Sequence, residues 1–140
     1  MKLGLGLGLM TRGGASTSGE SLGPELWPQP DFNDTTGLTA IDANWSISGG
    51  LATSNGADGY IGVAGDPLTI GHNYKAVLVV SDRASGGVWT PHDGFSEATG
   101  LQCFAPGTFI KYFTAATVDL WIYSQLIAGS ITAASCRRVL

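Results

Sequence analysis

The chain has 140 residues, of which 44% are hydrophobic and only 13% charged, and its net charge is −4. The length suits one domain with one core, and 21 glycines and six prolines favour short strands joined by tight turns over long helices. The acidic balance argues against binding to a phosphate backbone, and no apolar run reaches the ~18 residues that a transmembrane helix needs. We therefore predict neither nucleic-acid binding nor a membrane span.

The first ten residues, MKLGLGLGLM, alternate leucine and glycine strictly. In an extended strand this period of two places all the leucines on one face. Because the glycines make an isolated strand unstable, we predict an extended arm that pairs with another chain through Leu3, Leu5, Leu7 and Leu9. The alternative is a signal peptide with Lys2 as its charged start, but alternating glycine lowers hydrophobicity and no A-x-A cleavage site precedes Gly13.

Two further parts follow the arm, which comprises residues 1–10. Residues 11–24 are mostly small and polar, with almost nothing to bury, and are predicted to form a flexible tether. Residues 25–140 are predicted to form one folded domain, which begins with an aromatic lead-in that packs without regular structure. The sequence therefore predicts an arm, a tether and a domain.

Short alternating segments separated by Gly or Pro follow the lead-in. Trp45–Ser48 and Leu51–Ser54 are joined by Gly49-Gly50, which predicts a tight hairpin. The segment Tyr74–Ser81 carries aliphatic residues on both faces and is predicted to be a central, buried strand. The other predicted strands are Tyr60–Val63, Leu68–Ile70, Gly87–Pro91, Leu101–Phe104, Gly107–Ala115, Val118–Ser124 and Gly129–Leu140. Together they predict an all-β fold, an antiparallel jelly-roll β-sandwich.

Residues suited to catalysis or metal binding are sparse in this sequence. His72 and His92 are the two histidines, and both stand in turn-like contexts, as do most of the dispersed carboxylates. The run Asp31–Asp34 could supply calcium ligands, although a capped turn is the simpler explanation. Cys103 and Cys136 lack metal-ligand spacing, and two free thiols are favoured over a single bridge between them. We therefore predict a protein that is not an enzyme and has no cofactor or metal.

Aromatic side chains could stack on sugar rings if they are exposed, because a flat ring suits the apolar face of a pyranose. The candidates are Trp45, Trp89, Trp121, Tyr60, Tyr112 and Tyr123. Trp45 and Trp121 stand in alternating strands, where packing into the core is expected. Trp89 adjoins a polar loop, so the candidate glycan contacts are Trp89, His92 and Asp93, although a structural role for Trp89 is the simpler interpretation.

The order of motifs in residues 25–140 resembles the carbohydrate-binding-like, or galactose-binding-like, jelly rolls of tailed-bacteriophage virion proteins. The markers are WSISGGLAT from Trp45, the G-x-x-Y-x-x-x-x-x-V pattern over Gly71–Val80, and PGTF at Pro106–Phe109. In that family the last strand commonly opens with an acidic residue and Asn after Gly-x-Ile, where enzyme-borne members hold calcium. Here Gly129-Ser130-Ile131 is followed by Thr132-Ala133, which argues against that calcium site. The resemblance carries over no sugar-binding residue, since fold alone does not define a ligand.

The Leu-Gly arm resembles N-terminal segments by which small phage proteins attach to a larger particle. Such an arm can add a strand to another chain's sheet edge, or three arms can bundle in a homo-oligomer such as a trimer. The leading prediction is a non-enzymatic component of a tailed-phage virion: a head fibre, a decoration protein or a neck or tail accessory protein. Its partners would be capsid, portal, neck or tail proteins, and it would assemble in the host cytoplasm. The alternative is a carbohydrate-binding module or adhesin that recognises surface glycans.

Overall fold

The computed structural model of the protein describes residues 19–83, 88–92, 105–125 and 128–140. Within these ranges the chain forms strands and no helix. The ten described strands, in chain order, are β1 (Leu22–Glu25), β2 (Leu38–Ile41), β3 (Trp45–Ser48), β4 (Leu51–Asn55), β5 (Gly59–Val63), β6 (Asn73–Arg83), β7 (Val88–His92), β8 (Gly107–Thr114), β9 (Trp121–Gln125) and β10 (Ala128–Val139). The predicted arm, residues 1–10, and the predicted strand Leu101–Phe104 lie outside the described residues.

The strands form two antiparallel sheets. The six-stranded sheet has the order β8-β6-β10-β4-β3, and β1 pairs with the far end of β10. The four-stranded sheet has the order β2-β5-β9-β7. From β5 onward each described strand lies in the sheet opposite to the described strand before it. The prediction of an all-β fold built from antiparallel sheets is therefore confirmed.

One hydrophobic core lies between the two sheets. Along β6, alternate residues such as Tyr74 and Leu78 are buried, while the residues between them are half-buried on the outer face. Because β6 pairs with β8 on one side and β10 on the other, its predicted central position is confirmed. The largest fully buried side chains come from both sheets and the segments between them: Tyr74, Phe32, Ile61, Leu78, Leu120, Ile122, Ile131 and Cys136.

The predicted hairpin is present as β3 and β4. Ser48 pairs with Leu51, and the two intervening glycines have positive φ angles of 59° and 81°. Glycine adopts such angles at no steric cost, whereas other residues are strained there. The lead-in also packs as predicted, since Trp27 and Phe32 are buried with their ring centres 6.2 Å apart in an edge-on arrangement.

The predicted strand Leu68–Ile70 is wrong. These residues form no strand, and Ile70 is 61% exposed. Leu68 nevertheless fills the core as a single buried side chain, and its N–H donates to the carbonyl of Val118. The N–H of Thr69 donates to the hydroxyl of Tyr74 at 2.8 Å. A single apolar anchor in a loop thus produced the pattern that suggested a strand.

The folded unit starts earlier than residue 25. Strand β1 begins at Leu22, inside the segment predicted as a tether, and pairs Leu22 with Val139 and Glu25 with Arg137. Pro24 has no N–H to donate, and a proline is tolerated in such a short strand at a sheet edge. Pairing with β10 therefore holds residues 22–25, just before the lead-in, against the six-stranded sheet.

Candidate functional site

Three aromatic residues lie on the outer face of the four-stranded sheet. Ile61 of β5 and Ile122 of β9 point into the core, so the neighbouring Tyr60, Trp121 and Tyr123 point away from it. All three are half-buried. The aromatic face, as we call Tyr60, Trp121 and Tyr123, therefore presents ring surface on the side of the sheet away from the core.

Two of these rings are stacked. The centres of Tyr60 and Trp121 are 4.7 Å apart and their planes differ by 12°. Tyr123 lies directly opposite Tyr60 in the strand register, whereas Trp121 lies opposite Gly62, which has no side chain to occupy that row. Such a pair offers a flat apolar surface with polar groups at its rim, a combination that suits the apolar face of a sugar ring.

The expectation that Trp121 packs into the core is wrong, and the reason is visible in the strand. Leu120 and Ile122 are both 1% exposed, so these alternate positions of the segment face the core. Since side chains alternate across a strand, Trp121 must face outward. Trp45, by contrast, is 5% exposed and belongs to the core, as predicted.

Of the three predicted glycan-contact residues, the structure describes the backbone of two. Strand β7 pairs with β9 so that Trp89 lies opposite Ser124 and His92 lies opposite Trp121. The backbone of His92 is therefore the neighbour of the aromatic face in the same sheet. The side chains of Trp89 and His92 are outside what the structure describes, and so is the whole of Asp93.

The carboxylates of the Asp31–Asp34 run serve a turn. Asn33 donates its side-chain amide to Asp31 at 2.7 Å, and Asp34 accepts from the backbone N–H of Thr36 at 2.7 Å and from the amide of Gln29 at 2.6 Å. The hydrogen bonds from Thr36 lower the pKa of Asp34. Among the described residues no group of three or more acidic, histidine or cysteine side chains is placed to hold a metal ion. The capped turn is thus the arrangement observed.

His72 and Cys136 have structural positions. The N–H of His72 donates to the carbonyl of Thr69 and its own carbonyl accepts from Ala115, so it holds the turn before β6. Cys136 is a free, buried thiol, and Cys103, its partner in the alternative of a bridge, lies outside the described residues. Burial, with a smaller effect of the nearby Glu25, raises the pKa of the Cys136 thiol to about 12. A thiol with that pKa stays protonated near neutral pH and is a poor nucleophile.

Glu20 is held on the outer face of the six-stranded sheet. Its carboxylate lies 3.0 Å from the Nζ atom of Lys75 on β6, and the hydroxyl of Tyr112 on β8 donates to it at 2.9 Å. Lys75 also lies over the Tyr112 ring, with Nζ 5.5 Å from the ring centre. The hydrogen bonds from Lys75 and then Tyr112 lower the pKa of Glu20, and the bond to Glu20 raises the pKa of Lys75. We call Glu20, Lys75 and Tyr112 the Glu20 latch.

The latch places Glu20 over two strands that do not pair with β1. Strand β1 lies beside β10, yet Glu20 reaches across the outer face to β6 and β8. The first described residues therefore lie close to β6 and β8 on this face. Sequence reasoning did not find the latch, because Glu20 and Tyr112 are 92 residues apart and nothing local links them.

No helix able to cross a membrane occurs in the part of the chain that the structure describes. A scan against protein-family models gave no match. Searches of the curated proteins and of the solved structures gave no significant match either.

Proposed function

We propose that this protein is a non-enzymatic structural component of a tailed-phage virion, anchored through its N-terminal arm and displaying a β-sandwich. The component is a head fibre, a decoration protein, or a neck or tail accessory protein. The observation that carries the proposal is the division of the chain. A strictly alternating Leu-Gly arm precedes a small polar tether, and the domain then begins at a latched, fixed point.

The connection pattern supports a jelly-roll fold for the displayed domain. From β4 to β10 successive strands alternate between the two sheets, as expected when antiparallel strands wrap around a common core. The hairpin of β3 and β4 and the central strand β6 are two of the three motifs on which the resemblance to phage jelly rolls rests. The two motifs thus form a tight hairpin and an interior strand of the six-stranded sheet.

The arm supplies the contact with other virion proteins. An extended segment can add to a sheet edge of capsid, portal, neck or tail protein, with main-chain hydrogen bonds for affinity and leucine side chains in pockets. The same geometry suits a homo-oligomer such as a trimer, in which each copy contributes an arm. Leu3, Leu5, Leu7 and Leu9 are the residues assigned to this interface.

Deletion of residues 1–12 tests the proposal. The shortened protein should fold and remain soluble, because every described strand lies after residue 20, but it should no longer join particles. A matched full-length variant with serine at the four arm leucines should behave in the same way. Shortened protein that still copurifies with particles at the parent level would contradict the anchoring.

Glycan recognition is the second candidate function, and the aromatic face favours it. The stacked Tyr60 and Trp121 could cover the apolar side of a pyranose, with the strand that carries Trp89 and His92 beside them. A domain of this kind would act as the adhesin of the particle or as a carbohydrate-binding module. On this account the ligand is a surface glycan and not a nucleic acid.

A glycan array separates the two functions. Binding that disappears in Trp121→Ala or Trp89→Ala, but persists in Tyr112→Ala on the other sheet, would support glycan recognition. Tyr112 is the matched control because it is an exposed aromatic residue on the outer face of the other sheet. An array without any ligand for the parent protein would remove this second function and leave the structural role.

A further inference from the structure

Strand β8 forms an edge of the six-stranded sheet. It pairs with β6 along its whole length, from Gly107 opposite Val80 to Thr114 opposite Asn73. Among the described residues no strand pairs with its other side. An edge of this length offers a row of main-chain donors and acceptors to any extended segment, and proteins usually cover such edges.

The two faces of β8 differ in chemistry. Ile110 and Tyr112 lie on the outer face and are 52% and 56% exposed, so a docked segment could bury apolar surface there. Phe109, Lys111 and Phe113 lie on the face toward the core and are half-buried. A charged residue on the inner side of an edge strand opposes pairing with an ordinary apolar strand, because that strand would bring side chains against the charge.

We propose that in the free protein residues 3–9 of the same chain lie along β8 as an added strand, with their leucines beside Ile110 and Tyr112. The strict alternation fits both faces of the edge. Leucines on the outer face bury the exposed apolar surface, and glycines on the inner face place no side chain against Lys111. The seven residues from Leu3 to Leu9 also match the eight residues of β8 in length.

The Glu20 latch favours the arm of the same chain over that of another copy. Glu20 contacts Tyr112 of β8 itself, so the described chain begins close to the edge that is to be covered. Residues 10–19 can span up to about 35 Å when extended, whereas β8 is about 26 Å long. The arm can therefore reach the full edge, and a short connection of this kind gives an effective concentration in the millimolar range.

The inference rests on the arm to which the proposed function assigns particle anchoring, and it adds a second role for the same leucines. The covered edge keeps β8 from pairing with unrelated chains before assembly. Attachment to a particle then exchanges one strand-pairing partner of the arm for another. The arm makes similar main-chain hydrogen bonds with β8 and with a sheet edge of the particle, so exchanging one for the other costs little free energy.

Amide hydrogen exchange of the full-length protein tests the inference. The β8 amides that point away from β6 should exchange at least about tenfold more slowly in the parent than in a full-length variant with Leu3→Ser, Leu5→Ser, Leu7→Ser and Leu9→Ser. Ile110→Ser should speed the exchange of the same amides in the parent but not in the serine variant of the arm. Ile70→Ser is the matched control, since Ile70 is exposed outside both sheets and should change nothing.

Two results would overturn the inference. Equal exchange rates in the parent and the serine variant would mean that the arm does not cover β8. Protection that disappears on dilution would mean that the arm of another copy covers it. Particle incorporation of the same serine variant is measured separately. If β8 is unprotected in the parent too, while the serine variant fails to join particles, only this inference is defeated. If β8 is protected in the parent, while the serine variant joins particles at the parent level, only the anchoring is defeated.

Discussion

The carboxylate of Glu25 joins the start of the lead-in to the last strand. Its Oε1 atom accepts from the backbone N–H groups of Leu26 at 3.1 Å, Trp27 at 3.0 Å and Cys136 at 2.7 Å. Its Oε2 atom accepts from the hydroxyl of Ser135 at 2.6 Å and from Nε of Arg137 at 3.3 Å. Five donors converge on one side chain, and one of them, the Leu26 N–H, also donates to the carbonyl of Cys136 at 2.9 Å.

We expect Glu25→Gln to destabilise the domain by about 1–3 kcal/mol, the usual cost of leaving buried donors without an acceptor. Glutamine keeps the shape of the side chain but replaces one acceptor oxygen with an amide that faces donors. Urea unfolding of the two proteins measures the difference. Glu20→Gln is the control, and its unfolding midpoint should stay close to that of the parent because Glu20 lies at the surface.

The Cys136 thiol makes stability depend on alkaline pH. Its pKa is about 12 in the folded protein against an ordinary value near 9, chiefly because of burial. The unfolded chain therefore ionises this thiol first, and folding loses stability as the pH rises from about 9 to about 12. We expect the loss to be smaller in Cys136→Ala, as measured by urea unfolding at pH 8 and at pH 10.5. Parallel losses in both proteins would show that other groups are responsible.

At the scale of single elements, the turn before β2 depends on Gly37. Its φ angle is +82°, and a Cβ atom there would lie 2.6 Å from Cβ of Pro28, closer than carbon atoms approach one another. Gly65 has a similar φ of +77°, yet a Cβ atom there would meet nothing within 4 Å. A substitution at either glycine thus carries the cost of a left-handed backbone, but only one at Gly37 also meets a steric clash.

We expect Gly37→Ala to destabilise the domain more than Gly65→Ala does. The second substitution carries the conformational cost alone, about 1 kcal/mol or somewhat more. The first adds the displacement of Pro28 and of the lead-in behind it. Thermal unfolding of both variants measures the two losses of stability, and their difference is the cost of packing against Pro28. Equal losses of stability would mean that the turn moves away from Pro28 without cost.

Elements with a strong local pattern could be predicted from the sequence. The hairpin over β3 and β4 was predictable because two glycines stand between alternating segments, and β6 because its apolar run is long. Strand β1 was not, since its sequence LGPE has a single large apolar residue and its pairing with β10 comes from tertiary contacts. Leu68–Ile70 was misleading for the converse reason, as burial of one leucine does not require a strand.

The candidate site was predictable only in its residue types. The alternation Leu120-Trp121-Ile122 already contained the information that Trp121 faces outward, because two aliphatic residues flank it. Its stacking on Tyr60 could not be inferred, because that contact depends on the register between β5 and β9. The Glu20 latch depends in the same way on pairing between distant strands.

At the scale of the whole molecule, the two features with functional potential lie on opposite sides of the core. The Glu20 latch is on the outer face of the six-stranded sheet, and the aromatic face is on the outer face of the four-stranded sheet. A domain held through a segment that precedes Glu20 would therefore carry its aromatic residues on the sheet opposite to the Glu20 latch. Such a polarity suits a displayed domain, whether or not it carries a ligand.

The latch should also control how firmly the N-terminal segment is held. Its contribution is present above the ordinary pKa of a glutamate, 4.5, and is lost as the pH falls through the lowered pKa of Glu20. At neutral pH, Tyr112→Phe removes one donor to the carboxylate and Lys75→Gln removes its charged partner.

We expect a glutamate-specific protease at neutral pH to cleave after Glu20 several-fold faster in Lys75→Gln and in Tyr112→Phe than in the parent. Proteases act on segments that open locally, and each substitution weakens the contact that keeps Glu20 on the sheet. Cleavage after Glu25 is the internal control, because its carboxylate keeps all its partners in both variants. Unchanged cleavage after Glu20 would mean that pairing of β1 with β10 alone holds the segment.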